Sequence, residues 1–229
     1  MDIPIVFKGA LVLKAIQYNC GNPTGIIRET HDIDGDWVNG VPSMEMLTGI
    51  LQEAVNRIEY PLIVVPYREY GNGKSAGFNF NHPVTGQTFT SMDLSIRENN
   101  NTFRYSYING IQFYGQSIDK IVADKVLVCS SRKVFRRIKD VIDLYILSYC
   151  WSGSNIQILQ LIQASGKNIE MFNEFMNNYT ELLHAYSKYS NTATENIPFE
   201  IIYSRVKIFL EPYIRIVTTN HIWNGNNWV

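Results

Sequence analysis

The chain has 229 residues and a formal net charge of −1, with 45% hydrophobic and 18% charged residues. This composition excludes a disordered chain, and the net charge excludes a protein whose whole surface is basic for binding nucleic acid. Three widely spaced cysteines without a Cys-x-x-Cys pair predict free thiols in a reducing compartment and no zinc site. The N-terminus lacks a signal-peptide pattern and no apolar run approaches transmembrane length, so we expect a soluble cytoplasmic protein with no membrane partner.

The N-terminal half alternates predicted helices and strands. Residues 7–18 favour a short helix entered at Gly9, and residues 28–34 favour a strand. Residues 42–60 carry apolar side chains at three- and four-residue spacing, which predicts a helix with Ser43 as its N-cap.

Three strand-like segments follow this helix. Residues 62–67 are almost entirely apolar, which predicts a strand buried on both faces. Residues 76–81 and 88–96 are joined by a loop that contains Pro and Gly, which predicts a hairpin.

From residue 117 onward the apolar spacing predicts helices. We expect them at residues 118–129, 132–149, 156–164, 169–189 and 199–213. The chain therefore divides into an α/β core, residues 1–115, and a helical domain, residues 116–229. The predicted fold class is α+β, with a mixed sheet and flanking helices followed by a C-terminal helical bundle.

Asp32 and Asp34 form the most informative pair in the sequence. In an extended strand both side chains point to one face, with Ile33 on the other. Two carboxylates this close repel each other unless a cation lies between them, and oxygen ligands suit Mg²⁺. One or two carboxylates with substrate phosphates are the usual ligands of the metal in nucleotidyl transfer. The structural alternative is a solvated turn, because Asp and Gly favour turns.

Two further features fit this chemistry. Gly9 and Ala10 form a small pair at a predicted helix start, where backbone amides approach phosphate oxygens closely, and Lys8 is a candidate counter-charge. Asp93, in the second strand of the predicted hairpin, is the candidate for a third acid, and an exposed strand carboxylate is the alternative. The order of a small pair, a helix and an acid-apolar-acid strand matches the nucleotidyltransferase β-type signature.

A second group of charges lies in the helical half. Lys125 is surrounded by apolar residues in a predicted helix, so it needs either an ionic partner or a phosphate. In the next helix, Arg136 and Asp140, and likewise Lys139 and Asp143, are four residues apart and so close enough to pair on a helix surface. The alternative is a solvated, salt-bridged helix face.

Two sequence blocks resemble the AbiEii/AbiGii-type nucleotidyltransferase toxins. The first, FKGALVLKA…RETHDIDGDW, is similar to a Lys-Gly-Gly-x-Ala-Leu-like start followed by Arg-x-[Ser/Thr]-x-Asp-aliphatic-Asp. The second, SIDKIVADKVLVCSSRKVFRRIKDVIDLYIL, is similar to a later block that ends in [Arg/Lys]-Asp-x-x-Asp-Leu-Tyr, and IPFEIIYSRVKIFLEPYI resembles the usual ending. The resemblance spans residues 5–215. Two residues depart from it: Ala10 stands where Gly or Ser is common, and Asp124 where Glu is more usual.

The resemblance implies a Mg²⁺-dependent nucleotidyltransferase that acts as the toxin of a toxin–antitoxin or phage abortive-infection system. It implies transfer of NMP from an NTP to RNA, with the 3′ end of tRNA as the acceptor and an antitoxin as a partner. The implied metal ligands are Asp32 and Asp34, which would hold one or two Mg²⁺ ions. The implied catalytic residues are Asp32, Asp34, Lys125 and Asp140, with Asp93 and Asp143 as further candidates.

The same resemblance implies two sets of binding residues. The nucleotide contacts are Lys8, Gly9, Ala10, Arg28 and Thr30. Because the implied acceptor is RNA, the densest cationic cluster supplies the candidate RNA contacts, which are Arg132, Lys133, Arg136 and Arg137. Two alternatives stay open: a nucleotidyltransferase that modifies a small molecule such as an aminoglycoside, and a non-catalytic domain with the same fold.

Overall fold

A computed structural model describes residues 3–26, 30, 32–71, 73–193 and 197–229. The predicted nucleotide contact Arg28 lies outside these residues. The chain divides into two compact units, Met1–Val12 with Thr30–Gln116 and Leu13–Glu29 with Ser117–Val229. The segment that follows Val12 therefore groups with the C-terminal helices, whereas the sequence pattern places it in the N-terminal core.

The first unit is built on a seven-stranded mixed sheet in the order β3-β4-β5-β2-β1-β7-β6. Its strands are β1 (Ile5–Lys8), β2 (Asp32–Trp37), β3 (Ile63–Tyr70), β4 (Ser75–Asn81), β5 (Thr88–Ile96), β6 (Thr102–Ser106) and β7 (Gln112–Gln116). Strand β2 runs parallel to β5 and antiparallel to β1, and β1 runs parallel to β7. The hairpin of β4 and β5 confirms the prediction, whereas β6 and β7 were not predicted.

One face of this sheet packs against helix α2 (Met44–Val55). The helix has the predicted N-cap, since the Ser43 hydroxyl accepts a hydrogen bond of 3.1 Å from the N–H of Met46. The core between helix and sheet consists of large apolar side chains, among them Trp37, Leu47, Leu51, Phe78 and Leu94. Consecutive side chains of a strand point to opposite faces of the sheet. The polar residues that alternate with these core residues along the strands therefore lie on the other face.

Strand β3 is at the edge of the sheet, and the exposure of most of its side chains shows that the prediction of burial on both faces is wrong. Val64 is buried in the core, whereas Ile63 and Val65 are exposed. An edge strand has a neighbour on one side only, and Pro66, which cannot donate a backbone hydrogen bond, is typical of such a position.

The second unit is mainly helical. It contains most of α1 (Gly9–Asn19), then α3 (Ile118–Ser130), α4 (Ile138–Cys150), α5 (Asn155–Ala164), α6 (Asn173–Asn177), α7 (Tyr179–Ala193), α8 (Phe199–Ile214) and a small ribbon of β8 (Gly153–Ser154) and β9 (Ile222–Trp223). Two predicted helices are interrupted: a 3-10 turn at Val134–Arg137 precedes α4, and α6 and most of α7 take the place of the single helix predicted at residues 169–189. The mixed sheet with helices, followed by this helical part, confirms the α+β fold class.

The cysteines contradict the prediction of three free thiols. Cys20 and Cys150 form a disulfide with a Cα–Cα distance of 5.8 Å, and they are 130 residues apart in sequence. Only Cys129 has a free thiol among the described cysteines; it is buried, and burial raises its pKa. Disulfides are typical of oxidising surroundings, so the cysteines no longer support a reducing compartment.

In the described part of the chain, every helix is too short or too polar to cross a bilayer.

Candidate active site

Strand β2 carries three aspartates on the face opposite the core. Asp32, Asp34 and Asp36 alternate along the strand, and Ile33 packs against the apolar core on the other face. Exposure falls along the row, because Asp32 is exposed, Asp34 is half-buried and Asp36 is fully buried. The structure therefore places the two predicted metal ligands at the accessible end of a row of carboxylates.

The first aspartate of this row is fixed by two neighbouring hydroxyl groups. The Ser91 hydroxyl donates a hydrogen bond of 2.6 Å to Oδ1 of Asp32. The Thr30 hydroxyl donates to the backbone carbonyl of Asp32 at 2.9 Å and accepts from its N–H at 3.3 Å. Thr30 thus braces the backbone where β2 begins.

The second aspartate lies against the start of helix α1. Gly9 is the first residue of that helix and has a φ of +64°, in the left-handed region that disfavours other residues. A Cβ atom at Gly9 would lie 2.7 Å from Oδ2 of Asp34. A glycine is therefore required for the chain to pass so close to this carboxylate. Negative charge at a helix N-terminus is also favourable, because the N-terminal end of the helix dipole is positive.

A third carboxylate joins the same face from the neighbouring strand. In the parallel pairing of β2 with β5, Asp32 lies opposite Ser91 and Asp34 lies opposite Asp93. Oδ1 of Asp93 accepts hydrogen bonds from the Tyr67 hydroxyl at 2.8 Å and from Nη2 of Arg68 at 2.6 Å. The sequence singled out Asp93 but carried no signal for its two donors, which lie 26 and 25 residues away.

Asp36, which was not predicted as a site residue, organises a buried ionic cluster next to these carboxylates. Its Oδ1 accepts from Nζ of Lys8 at 2.7 Å and from Nε of Arg97 at 2.9 Å. Its Oδ2 accepts from the Asn99 amide at 2.9 Å, and Lys8 also donates to Ser95 at 3.2 Å. Lys8, a predicted phosphate contact, is thus held by protein groups. Continuing the alternation of Asp32 and Asp34 by one step would have identified Asp36.

The carboxylates of β2 suit a magnesium ion that is bound together with a nucleotide. Asp32 and Asp34 offer oxygen ligands on one face, at the accessible end of the row. Within the described residues, no group of three His, Cys, Asp or Glu side chains is arranged to hold a metal by itself. Mg²⁺ usually has one or two carboxylate ligands, and its other ligands are water and substrate phosphates.

In the second unit, Lys125 forms a buried ionic cluster with two aspartates. Its ammonium group contacts Oδ1 of Asp140 at 2.5 Å and Oδ2 of Asp143 at 2.7 Å, and both carboxylates are buried. Arg137 donates to the other oxygen of Asp140 at 2.5 Å. The apolar surroundings of Lys125 in the sequence required either an ionic partner or a phosphate. The structure gives this lysine ionic partners.

The pKa shifts of Lys125 and Asp140 agree with ionisation of both groups. Burial alone would lower the pKa of Lys125, but the charges of Asp143 and Asp140 outweigh it and raise the pKa. Burial would raise the pKa of Asp140, but Lys125 and Arg137 outweigh it and lower the pKa. Each group thus keeps its charge because its partners are in place.

Asp140 does not pair with Arg136, the partner that four-residue spacing would allow. Asp140 is bonded to Lys125 and Arg137, because the 3-10 turn before α4 breaks the helical register that the four-residue spacing assumed. The candidate RNA contacts Arg132, Lys133, Arg136 and Arg137 are all exposed. Arg136 also lines an open groove of about 660 Å³ with residues of α7.

Comparison with known proteins gives likeness to solved structures and no sequence match. No protein-family model matches the chain, and no curated protein matches its sequence. Among solved structures the chain is similar to MenT4, a nucleotidyltransferase toxin from Mycobacterium tuberculosis H37Rv, with a TM-score of 0.47 and 12% identity over 90% of this chain and 74% of that chain. At so low an identity, the chemistry of this chain has to follow from its own residues. The resemblance to AbiEii/AbiGii-type toxins stays a prediction.

Proposed function

We propose that this protein is a Mg²⁺-dependent nucleotidyltransferase that transfers NMP from an NTP to an RNA acceptor, with the 3′ end of tRNA as the site of addition. The observation that carries the proposal is the placement of Asp32, Asp34 and Asp93 on one face of two parallel strands. The start of α1 at Gly9 lies against the same face, where backbone N–H groups favour phosphate oxygens.

The proposed reaction is an in-line displacement at phosphorus. The acceptor hydroxyl oxygen bonds to the α-phosphorus, the bond from that phosphorus to the bridging β-oxygen breaks, and pyrophosphate leaves with the electron pair. Asp93 takes the proton of the acceptor hydroxyl and passes it to water. Asp32 and Asp34 would hold the metal, which would neutralise the negative charge that develops on the phosphate oxygens.

We also propose that the protein acts as a toxin, on the basis of the sequence resemblance. Its test is growth of bacteria after induced expression. Expression of the wild type should stop growth, and expression of an Asp34→Asn variant at the same level should not. Equal growth arrest by both proteins would show that arrest does not depend on nucleotidyl transfer.

The enzymatic proposal is tested by transfer of α-³²P label from each NTP to total RNA in the presence of Mg²⁺. Asp32→Asn and Asp34→Asn should each lower the transfer by roughly 100-fold or more, because both remove a charged metal ligand without changing its size. Glu45→Gln, an exposed carboxylate on α2, is the matched control and should keep wild-type activity. Label on an aminoglycoside and none on RNA would favour the small-molecule enzyme, and absence of Mg²⁺-dependent NTP binding would overturn the proposal.

A further inference from the structure

An irregularity in strand β3 lets two consecutive side chains reach the same carboxylate oxygen. In the pairing of β3 with β4, Pro66 lies opposite Phe78 and Arg68 opposite Gly77, so that Tyr67 is an extra residue. In a regular strand, consecutive side chains point to opposite faces. A bulge changes the direction of the side chains around it, which accounts for the joint approach of Tyr67 and Arg68 to Asp93.

The strand between them is adapted to this contact. Tyr67 is on β3 and Asp93 is on β5, so the tyrosine has to cross β4, at the point where Gly77 pairs with Asp93. A Cβ atom at Gly77 would lie 2.7 Å from Cζ of the Tyr67 ring. Gly77 therefore leaves the space through which the ring reaches across the strand.

Both donors bind the same oxygen of Asp93. The Tyr67 hydroxyl and the Arg68 guanidinium both donate to Oδ1, and Oδ2 makes no hydrogen bond within the described residues. Burial, followed by the hydrogen bond to Asp93, raises the pKa of Tyr67 to about 12, so the hydroxyl keeps its proton at neutral pH. Arg68 is itself held by stacking, with its Cζ atom 4.1 Å from the ring centroid of Tyr70.

We propose that Tyr67 and Arg68 are positioning residues, which fix Oδ1 of Asp93 so that Oδ2 accepts the proton of the acceptor hydroxyl. This inference rests on the proposed function, because it specifies how the third carboxylate of that site is held. Two hydrogen bonds to one oxygen restrict the rotation of the carboxylate, so its other oxygen keeps a preferred direction. Misplacement of a reacting group by about 1 Å costs on the order of 100-fold in rate.

The test is steady-state kinetics of nucleotide transfer for Tyr67→Phe, which removes only the hydroxyl donor. We expect kcat to fall by roughly 10- to 100-fold, while KM for the NTP changes by less than about two-fold, since the metal ligands are untouched. Tyr70→Phe is the matched control, because its hydroxyl makes no hydrogen bond within the described residues and its ring would still stack on Arg68. That control should keep wild-type kinetics.

A double-mutant cycle separates positioning from a general structural effect. In an Asp93→Asn background, Tyr67→Phe should cause no further loss of kcat, because its only route to the reaction is through Asp93. If the two substitutions lowered kcat by factors that multiply, the inference would be overturned. It would also be overturned if Tyr67→Phe alone kept the wild-type kcat. A wild type that labels no acceptor would instead overturn the proposed function, and this inference with it. Thermal melts of each variant show that loss of activity is not loss of fold.

Discussion

Three aspartates of one strand have three different environments, although they share a residue type and a face. Asp32 is exposed and bonded by a hydroxyl, Asp34 lies against the start of a helix, and Asp36 is buried among cations and an amide. Burial of a carboxylate is costly unless it is paired and hydrogen-bonded. The accessible pair is therefore suited to a ligand, whereas Asp36 is suited to holding the strand in place.

The buried position of Asp36 predicts a large loss of stability in Asp36→Asn. This change leaves the ammonium of Lys8 without its ionic partner, and the Lys8 side chain is only 18% exposed. Loss of one partner of a buried ion pair costs about 3–5 kcal/mol. Urea unfolding should show this decrease.

Arg97→Gln is the control for this prediction. It removes another ionic partner of Asp36, but the side chain of Arg97 is 57% exposed. Its cost should be less than about 1 kcal/mol, since exposed ion pairs contribute little. Equal costs for the two variants would contradict the importance that we assign to burial.

Helix α4 illustrates the same principle at the scale of an element. Its first turn carries Asp140, and Asp143 follows one turn later, so both carboxylates lie on the side of the helix that meets Lys125 of α3. The four-residue spacing of charges allows pairs within one helix. The actual partner of both carboxylates comes from the preceding helix, which local spacing cannot indicate.

The ionic cluster of Lys125 with Asp140 and Asp143 predicts how the stability of the protein depends on pH. The pKa of Asp140 is lower in the folded state than in the unfolded state. Its charge therefore contributes fully to the free energy of unfolding above the unfolded-state pKa of about 3.9, and this contribution is lost as the pH falls through the folded-state pKa. The pKa of Lys125 is raised, so its contribution is complete below its unfolded pKa of about 10.4 and is lost only at higher pH. Asp140→Asn should therefore be less stable than the wild type by about 3–5 kcal/mol at neutral pH.

Urea unfolding at several pH values checks this prediction. The difference between wild type and Asp140→Asn should be constant between about pH 5 and pH 10 and should shrink below about pH 4. A difference that stays constant down to pH 2 would show that the charge of Asp140 is not the source of the stability.

The disulfide acts on the second unit as a whole, because it links the ends of α1 and α4. Its two cysteines are 130 residues apart, and a cross-link over a long loop restricts the unfolded chain strongly. Reduction should therefore lower the free energy of unfolding by about 2–5 kcal/mol. The measurement is the thermal midpoint with and without a thiol reductant.

The double variant Cys20→Ser/Cys150→Ser is the control for the disulfide. It should melt at the lower temperature and should not respond to the reductant. Cys129 stays in this variant, and its buried thiol should not react in the folded state. A reductant effect that persists in the double variant would exclude the disulfide as its origin.

The distribution of charge over the whole molecule gives a further prediction. The net charge is −1, so any affinity for RNA must come from local patches, and the exposed residues Arg132 and Lys133 belong to the densest cationic cluster in the sequence. Arg132→Glu/Lys133→Glu should weaken RNA labelling and lower the salt dependence of RNA binding, while NTP binding is unchanged. For two lost phosphate contacts, the slope of log Kobs against log salt should fall by about 1–2.

Lys207→Glu tests whether any charge reversal has this effect, because Lys207 is an exposed cation on α8. It should leave RNA labelling and the salt slope unchanged. If Lys207→Glu weakened labelling as much as the double reversal, the cluster would have no special role.

The sequence alone determined the elements whose signals are local. Alternation gave the shared face of Asp32 and Asp34, helical spacing and a capping hydroxyl gave α2, and a loop between two strands gave the hairpin that contains Asp93. These features depend on residues a few positions apart, whose geometry is set by the period of the strand or helix.

Only the tertiary structure decided which distant residues meet. It placed Asp93 opposite Asp34, brought Tyr67 and Arg68 to Asp93 across a bulge, paired Lys125 with Asp140 and joined Cys20 to Cys150. It also showed that β3 is an edge strand, although its composition is that of a buried one. Strand order, register and burial arise from packing between segments far apart in the chain, so no local period of the sequence encodes them.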